Sequence, residues 1–112
     1  MEHIPDASEE AEVEPGVYLA QLAVGEEMSV QHLRMDPGAV IPDRDHEHEQ
    51  VGFAYEGEQT FVLEDGQVVA VQAGGSYSLG SNKRHAAENR GETTLRAIDV
   101  FSPPPADPDW LE

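Results

Sequence analysis

Two histidines and an amide lie close together in the middle of the chain, in the segment Arg44-Asp45-His46-Glu47-His48-Glu49-Gln50. Alternate side chains of an extended strand point to the same face, so the even-numbered residues of this segment would share one face. Imidazoles together with an oxygen donor are a ligand set for divalent transition metals. The segment therefore predicts a metal site. The alternative is a solvated polar segment, since His-Glu-His is also ordinary surface composition.

The elements that must position these residues are short strand-like runs separated by turn residues. The predicted strands cover residues 17–24, 28–35, 51–55, 59–64, 67–71, 77–79, 85–89 and 93–101. Asp65-Gly66 is a strong hairpin signal, and Ser102-Pro103-Pro104-Pro105 ends regular pairing. No segment shows a sustained helical period, so the pattern predicts an all-β domain built as a sandwich, jelly roll or barrel.

The chain length of 112 residues has room for one domain. We expect an acidic flexible arm over residues 1–14, a β-domain over 15–105 and an acidic tail over 106–112, which contains Trp110. The absence of cysteine excludes disulfides and thiolate metal sites. No apolar stretch has the length of a membrane span and no secretory leader is visible, so we expect a soluble cytoplasmic protein.

The charge of the chain is strongly negative. Six Lys and Arg residues against 23 Asp and Glu residues give a net charge of −17. Such a surface repels nucleic acids and anionic membranes, so neither is expected as a partner. The composition resembles that of halophilic proteins, whose self-repulsion is screened by salt. The alternative is an acidic mesophilic protein with a charged tail.

The spacing of glycine, histidine and amide residues resembles the two sequence motifs of the cupin family. The first motif is anchored on Gly38 and Gly57. In that register Arg44 and His46 take its two histidine positions, and Gln50 takes its Glu/Gln position. The second motif is matched at Gly74, Gly80, Asn82, His85 and Asn89. The resemblance implies a single-domain cupin-type β-barrel (a double-stranded β-helix, or jelly roll) that pairs as a homodimer.

Within the cupins, the chain is similar to the small single-domain members that act in pectin and alginate breakdown. Those proteins convert unsaturated uronates to linear keto sugars. The similarity lies in His48-Glu49-Gln50 before a Glu-Gly turn, and in the last strand, Asp99-Val100-Phe101-Ser102-Pro103-Pro104. The resemblance implies an acid/base role for Asp99 and places Phe101 beside it in the pocket, packing against the ligand.

The resemblance also implies a divalent metal ion, which would be Zn, Ni, Mn or Fe, and a small-molecule ligand. Its metal ligands would be His46, Gln50 and His85. His48 lies two residues after His46 and would point to the same face of a strand. His48 is therefore an alternative ligand to His46, and the spacing does not decide between them.

Two departures from the family pattern leave the function open. Arg44 stands at a usual histidine position, and a guanidinium has no lone pair for a metal. If the metal is kept, Arg44 would either turn toward solvent or bind a substrate carboxylate, which guanidinium matches bidentately. Pro105 replaces an arginine of the related group. The alternatives are an enzyme acting on a sugar acid, a non-catalytic small-molecule-binding cupin whose metal site is lost, and an iron-dependent dioxygenase.

The last predicted strand carries one carboxylate on an otherwise apolar face, formed by Leu95, Ala97, Asp99 and Phe101. Facing inward, Asp99 would need hydrogen bonds, and desolvation would raise its pKa toward values useful for proton transfer. If the opposite face, Arg96-Ile98-Val100, is the inner one, Asp99 is solvated.

The remaining aromatic residues, His32 and Asn89 are assigned structural rather than catalytic roles. Val51, Phe53 and Tyr55 share a face opposite in parity to Gln50, so we assign Phe53 and Tyr55 to packing or a dimer contact. Tyr77 is likewise expected to pack. His32 is expected to be a half-exposed strand histidine, and Asn89 a turn residue.

Overall fold

Ten β-strands make up the regular structure of the part of the chain that the structure describes. The structure is a computed structural model and describes residues 1–44 and 47–105, with the backbone alone at Arg44. The strands are β1 (Ala11–Glu14), β2 (Val17–Val24), β3 (Ser29–Met35), β4 (Val40–Arg44), β5 (Glu49–Glu56), β6 (Glu58–Leu63), β7 (Val68–Gln72), β8 (Ser76–Leu79), β9 (His85–Glu88) and β10 (Leu95–Ser102). None of the described segments is a helix with the length and apolar character needed to span a membrane.

The strands form two antiparallel sheets that face each other. The larger sheet has the order β1-β2-β3-β10-β5-β8, and the smaller has the order β4-β9-β6-β7. Strands distant in sequence are neighbours, since β10 lies between β3 and β5. This is the jelly-roll arrangement, and the prediction of an all-β cupin-type fold is confirmed.

The core lies between the two sheets, and its alternation of buried and partly buried residues is clearest in β10. Along β10 every second residue is buried, beginning with Leu95 and Ala97, while the residues between them are only partly covered. One apolar cluster joins these residues to Val17, Leu33 and Met35 of the larger sheet. A second, centred on Phe61, lines the smaller sheet. Alternation places these side chains inside because successive residues of a strand point to opposite faces.

The turn between β5 and β6 explains one glycine of the first motif. Gly57 has a φ of +77°, a left-handed conformation that side chains other than glycine rarely adopt. A Cβ at this position would also lie 2.6 Å from the carbonyl oxygen of Thr94. Asn82 of the second motif also adopts the left-handed conformation, with a φ of 61°, which asparagine tolerates better than most residues.

The N-terminal segment differs from the flexible arm expected from its composition. Residues 11–14 form β1 and pair with β2. Ahead of the strand, the backbone N–H of Ser8 donates to the carbonyl of Gln21 at 2.9 Å. Arg34 binds both carboxylate oxygens of Glu10 at 2.9 Å. The segment is ordered because it satisfies the free backbone edge of β2, which composition does not reveal.

The central histidine segment also differs from the single strand assumed above. Arg44 ends β4 in the smaller sheet, whereas Gln50 lies in β5 of the larger sheet. Residues 47 and 48 form a bend between them. The argument that alternate residues of this segment share one strand face is therefore wrong, because the chain changes sheets within it. His46 and Trp110 lie outside the described residues.

The outer face of the larger sheet carries the apolar residues of β5. Val51, Phe53 and Tyr55 are 42%, 45% and 45% exposed. The hydroxyl of Tyr55 lies 2.6 Å from Nε2 of His32, which is half-buried as expected. These residues do not pack in the core of the chain, and a dimer contact remains a prediction for this face.

Candidate functional site

A cavity of about 170 Å³ lies between the two sheets. Its walls are mostly apolar and come from strands of both sheets. Its polar lining residues are Gln31, Gln50, Gln59, His85 and Asp99. Concave, largely apolar sites with a few converging polar groups are typical ligand-binding sites. This cavity is therefore the candidate functional site.

Asp99 lies on the inner wall of the cavity. It is 2% exposed, which places the face of Leu95 and Ala97 inward, the first of the two alternatives considered from the sequence. Its Oδ1 atom accepts a 3.1 Å hydrogen bond from Nε2 of Gln50 and a 2.6 Å hydrogen bond from the hydroxyl of Tyr77. The buried carboxylate thus has the hydrogen bonds that burial requires.

Gly52 allows Tyr77 to reach Asp99. The three residues lie in one row across the larger sheet, with Gly52 of β5 paired to Asp99 on one side and to Tyr77 on the other. A Cβ added at Gly52 would overlap both Oδ1 of Asp99 and the phenol of Tyr77. A glycine inside a strand often marks such a close approach. The Tyr77 side chain therefore crosses β5 over this glycine.

The buried pair has shifted ionisation. Burial raises the pKa of the Asp99 carboxyl, and the hydrogen bonds from Tyr77 and Gln50 offset part of that rise because they stabilise the carboxylate. Burial also raises the pKa of the Tyr77 hydroxyl, and the neighbouring Asp99 charge raises it further. Tyr77 therefore stays a proton donor toward Asp99, and Asp99 is the group of this pair with the lower pKa and the one suited to exchange a proton.

His85 is oriented by the backbone of its own loop. It is 8% exposed and lines the cavity from β9. Its Nδ1 atom lies 3.2 Å from the carbonyl oxygen of Lys83. Since a carbonyl accepts, Nδ1 carries the proton in this contact, and Nε2 is the ring nitrogen with a metal-binding lone pair.

Gln50 is oriented in a similar way by Asp99. Because its Nε2 donates to the carboxylate, its Oε1 is the atom left to bind a metal or a ligand. The donor chemistry of Gln50 and His85 therefore fits a divalent ion in the cavity. The described residues contain no group of three His, Asp or Glu that could hold a metal. The predicted ligand His46 lies outside them.

His48 lies apart from the cavity lining. Its Nδ1 donates to the carbonyl oxygen of Pro103 at 2.7 Å. Its ring meets the edge of Phe101, with 6.3 Å between the ring centroids. Phe101 itself lines the cavity, as the resemblance implied. The structure thus places His48 behind Phe101, at the end of β10.

Several residues of this region were not singled out as functional from the sequence. Tyr77 was assigned to packing, yet it bonds the buried carboxylate. Gly52 and Gln59 were not considered. The one available signal was the glycine inside the predicted strand 51–55. Asn89 was correctly assigned to a turn, since its side chain binds the carbonyl of Thr93 and the N–H of Gly91.

Comparison with known families agrees with this geometry. A family model described as the cupin domain matches residues 31–101. The chain belongs to the cupin family. The match covers both sequence motifs and most of the cavity wall, including Asp99 and His85. No curated protein matches this cupin significantly.

Solved structures similar to this cupin include two at 28% identity. KdgF from Halomonas sp. has a TM-score of 0.79, and the match covers 88% of this chain and 89% of that one. An RmlC-like cupin from Shewanella frigidimarina NCIMB 400 also has a TM-score of 0.79, with 89% and 87% covered. A predicted oxalate decarboxylase from Thermotoga maritima, at 21% identity, has a TM-score of 0.73 over 87% of this chain and 93% of that one. That last match bears on the fold alone.

Proposed function

We propose that this cupin catalyses a metal-dependent step on a small carbohydrate acid, converting an unsaturated uronate to a linear keto sugar. The observation that carries the proposal is the buried carboxylate of Asp99 in the cavity, hydrogen-bonded by Gln50 and Tyr77. The resemblance of the motifs to the cupins of pectin and alginate breakdown supports the substrate class, and the structural similarity to KdgF from Halomonas sp. supports the fold of the site. The wider family supports a small-molecule ligand.

Asp99 is the proposed acid/base. Both described hydrogen bonds go to its Oδ1, so Oδ2 is the atom that would exchange a proton with the substrate. Its raised pKa brings proton transfer closer to neutral pH, where a general acid/base is most effective. Phe101 is proposed to pack against the substrate and to exclude water from this oxygen, because it lines the same cavity.

The proposed metal ligands are His46, Gln50 and His85. A divalent ion held there would act as a Lewis acid on a carbonyl or hydroxyl oxygen of the substrate. The orientation of Gln50 Oε1 and His85 Nε2 supports the proposal. Because His48 is not among the residues that line the cavity, we propose His46 rather than His48 as the remaining imidazole ligand.

Arg44 is proposed to bind the substrate carboxylate. Its backbone pairs with that of His85, so it stands at the register position next to a residue that lines the cavity. A guanidinium would match the carboxylate of a uronate with two hydrogen bonds. It would also offset the strongly negative charge of the protein, which opposes an anionic substrate.

The test is the loss of ultraviolet absorbance when the double bond of an unsaturated monouronate is consumed. The wild type, purified without chelator, should turn over, and Asp99→Asn should lose at least about 100-fold in kcat, the lower range for a general acid/base. Asparagine keeps an oxygen for both hydrogen bonds, so this variant should fold. Equal turnover by the wild type and Asp99→Asn would reject the role of Asp99.

A non-catalytic small-molecule-binding cupin is the second candidate. It is favoured by the arginine at a usual histidine position, because a guanidinium has no lone pair for a metal. The same assay separates the two functions. A binding protein would take up the uronate without consuming its double bond, in the presence of added zinc, nickel, manganese or iron.

A further inference from the structure

The cavity contains a buried amide with an unsatisfied oxygen. Gln59 of β6 is 1% exposed, and its Oε1 has no hydrogen-bond partner among the described residues. It is the only buried side-chain atom of that part of the chain in this condition. An unpaired acceptor inside a protein carries a desolvation penalty unless a ligand or water supplies a donor.

A second amide faces the same cavity from the opposite wall. Gln31 of β3 belongs to the larger sheet and Gln59 to the smaller sheet, and both line the cavity. The structure gives the Gln31 side chain no hydrogen bond to another described residue. Each amide offers one acceptor oxygen and an NH2 donor, so the pair presents both kinds of group to whatever lies between the sheets.

The charge of the cavity limits the chemistry of its ligand. Its lining contains no lysine or arginine among the residues that the structure describes, and Asp99 is its acidic group. A carboxylate placed between the two amides would face the Asp99 charge with no lysine or arginine beside it in the described lining. Hydroxyl groups suit them, because each hydroxyl can donate to an amide oxygen and accept from an amide NH2.

We infer that Gln31 and Gln59 form an amide subsite that binds the hydroxyl groups of the ligand. The inference deepens the proposed function and rests on it for the sugar acid, whose carboxylate would lie toward Arg44. The volume of about 170 Å³ is below the roughly 300 Å³ at which drug-sized ligand pockets begin. The ligand is therefore a single small polyol unit rather than an oligosaccharide.

Three probes separate the hydroxyl and carboxylate contributions. D-galacturonate has both groups, D-galactose has the hydroxyls without the carboxylate, and cyclohexanecarboxylate has the carboxylate without the hydroxyls. Binding of each to the protein as purified is measured by calorimetry. Gln59→Met and Gln31→Met remove the amides at nearly constant volume. Gln72→Met, at an exposed position of β7, is the matched control.

Each cavity variant should weaken galactose and galacturonate about three- to tenfold, the loss expected for a neutral hydrogen bond, and should leave cyclohexanecarboxylate unchanged. The urea midpoint of Gln59→Met should rise, because the variant removes an unpaired buried acceptor. Gln59→Leu repeats the measurement if Gln59→Met does not fold.

The outcomes distinguish the subsite from the proposed function. Wild-type protein that binds no galactose, or cavity variants that bind it as the wild type does, would overturn the subsite. Amide-dependent binding of galactose without turnover of an unsaturated uronate would support the subsite while rejecting the proposed reaction. Arg44→Met should show the reverse probe pattern, losing galacturonate and cyclohexanecarboxylate but not galactose.

Discussion

The hydroxyl of Tyr77 donates a 2.6 Å hydrogen bond to Oδ1 of Asp99 across the backbone of β5, over Gly52. The contact joins two strands, β8 and β10, that are not neighbours in the sheet. It exists because the residue between them has no side chain. A tyrosine, a glycine and an aspartate in one row therefore determine how the buried carboxylate of the candidate site is held and how it ionises.

Removal of the Tyr77 hydroxyl should raise the pKa of Asp99. In Tyr77→Phe the carboxylate loses a hydrogen bond that stabilises its charged form, while burial continues to oppose ionisation. A hydrogen bond to a charged group contributes about 1.5–3 kcal/mol, which corresponds to a rise of roughly one to two pH units. If unprotonated Asp99 is the base, the rising limb of kcat/KM against pH should move to higher pH by that amount.

The titration of Asp99 can also be followed by carbon NMR, which does not depend on turnover. Tyr55→Phe is the matched control, because the Tyr55 hydroxyl contacts His32 on the outer face of the same sheet. It should leave the Asp99 titration unchanged. An identical titration in Tyr77→Phe and the wild type would show that the hydroxyl does not tune the carboxyl.

Gly52→Ala should destabilise the protein by overlap rather than by backbone strain. The added Cβ would displace the Tyr77 ring or the Asp99 carboxyl, and overpacking of this kind costs about 1–3 kcal/mol. Urea unfolding measures the loss. Gly25→Ala is the control, because its Cβ would have ordinary contact, with the nearest atom at 3.4 Å.

A double-mutant cycle identifies the cause of that loss. In a Tyr77→Ala background the ring is gone, so Gly52→Ala should cost much less than it does in the wild type. An unchanged cost would mean that Gly52 is required for some reason other than the passage of Tyr77.

Metal binding should distinguish the two described histidines near the cavity. His85→Ala should lower affinity for a divalent ion by more than the 10–100-fold typical of supporting residues. His48→Ala should retain the ion, because His48 does not line the cavity. Metal content of untagged protein, followed by titration with zinc, nickel, manganese and iron salts, measures both. Loss of metal in His48→Ala with retention in His85→Ala would reverse the proposed assignment.

Arg44→His tests the position at which this chain has an arginine in place of the usual histidine of the family motif, again by measuring metal affinity. An imidazole at this position would add a lone pair, so affinity should increase if residue 44 faces the site. Unchanged affinity would place Arg44 outside it and remove its proposed contact with a substrate carboxylate.

The melting temperature should rise as salt is added. The protein has a net charge of −17, so its acidic side chains repel one another. The described ion pairs, such as Arg84–Asp43 and Arg96–Glu56, lie at the surface, where each contributes little to the free energy of unfolding. If screening by salt raises the free energy of unfolding by about 1 kcal/mol, the melting temperature of a domain of this size rises by roughly 4–8 °C. Calorimetry between low and molar NaCl measures the rise, with sucrose as the uncharged control. A flat response to NaCl would reject the halophile interpretation.

The strands of the barrel could largely be predicted from the sequence because their signals are local. Alternation along 95–101 correctly grouped Leu95, Ala97, Asp99 and Phe101 on one face of β10, and Asp65-Gly66 lies in the connection between β6 and β7. Gly57 and Asn82 adopt the left-handed conformations that their residue types favour. Such features depend on neighbouring residues, so composition and spacing suffice.

The errors arose where the signal is not local. β1 was missed because its stability comes from the edge of β2 rather than from its own acidic residues. The prediction that Arg44 and Gln50 share one strand face was wrong because the chain passes from one sheet to the other between them. Tyr77 was assigned to packing because nothing near it in sequence indicates a carboxylate 22 positions away.

Residue types and spacing indicated the family, the face that Asp99 shares with Leu95 and Ala97, and the side chains available for chemistry. The folded barrel shows that this face is the inner one and which residues meet: Tyr77 with Asp99 over Gly52, Gln50 with the same carboxylate, and His48 with Pro103. The physical reason is that strand periodicity sets the direction of each side chain, whereas its neighbours depend on strand order and register. Those are determined by the packing of the whole barrel.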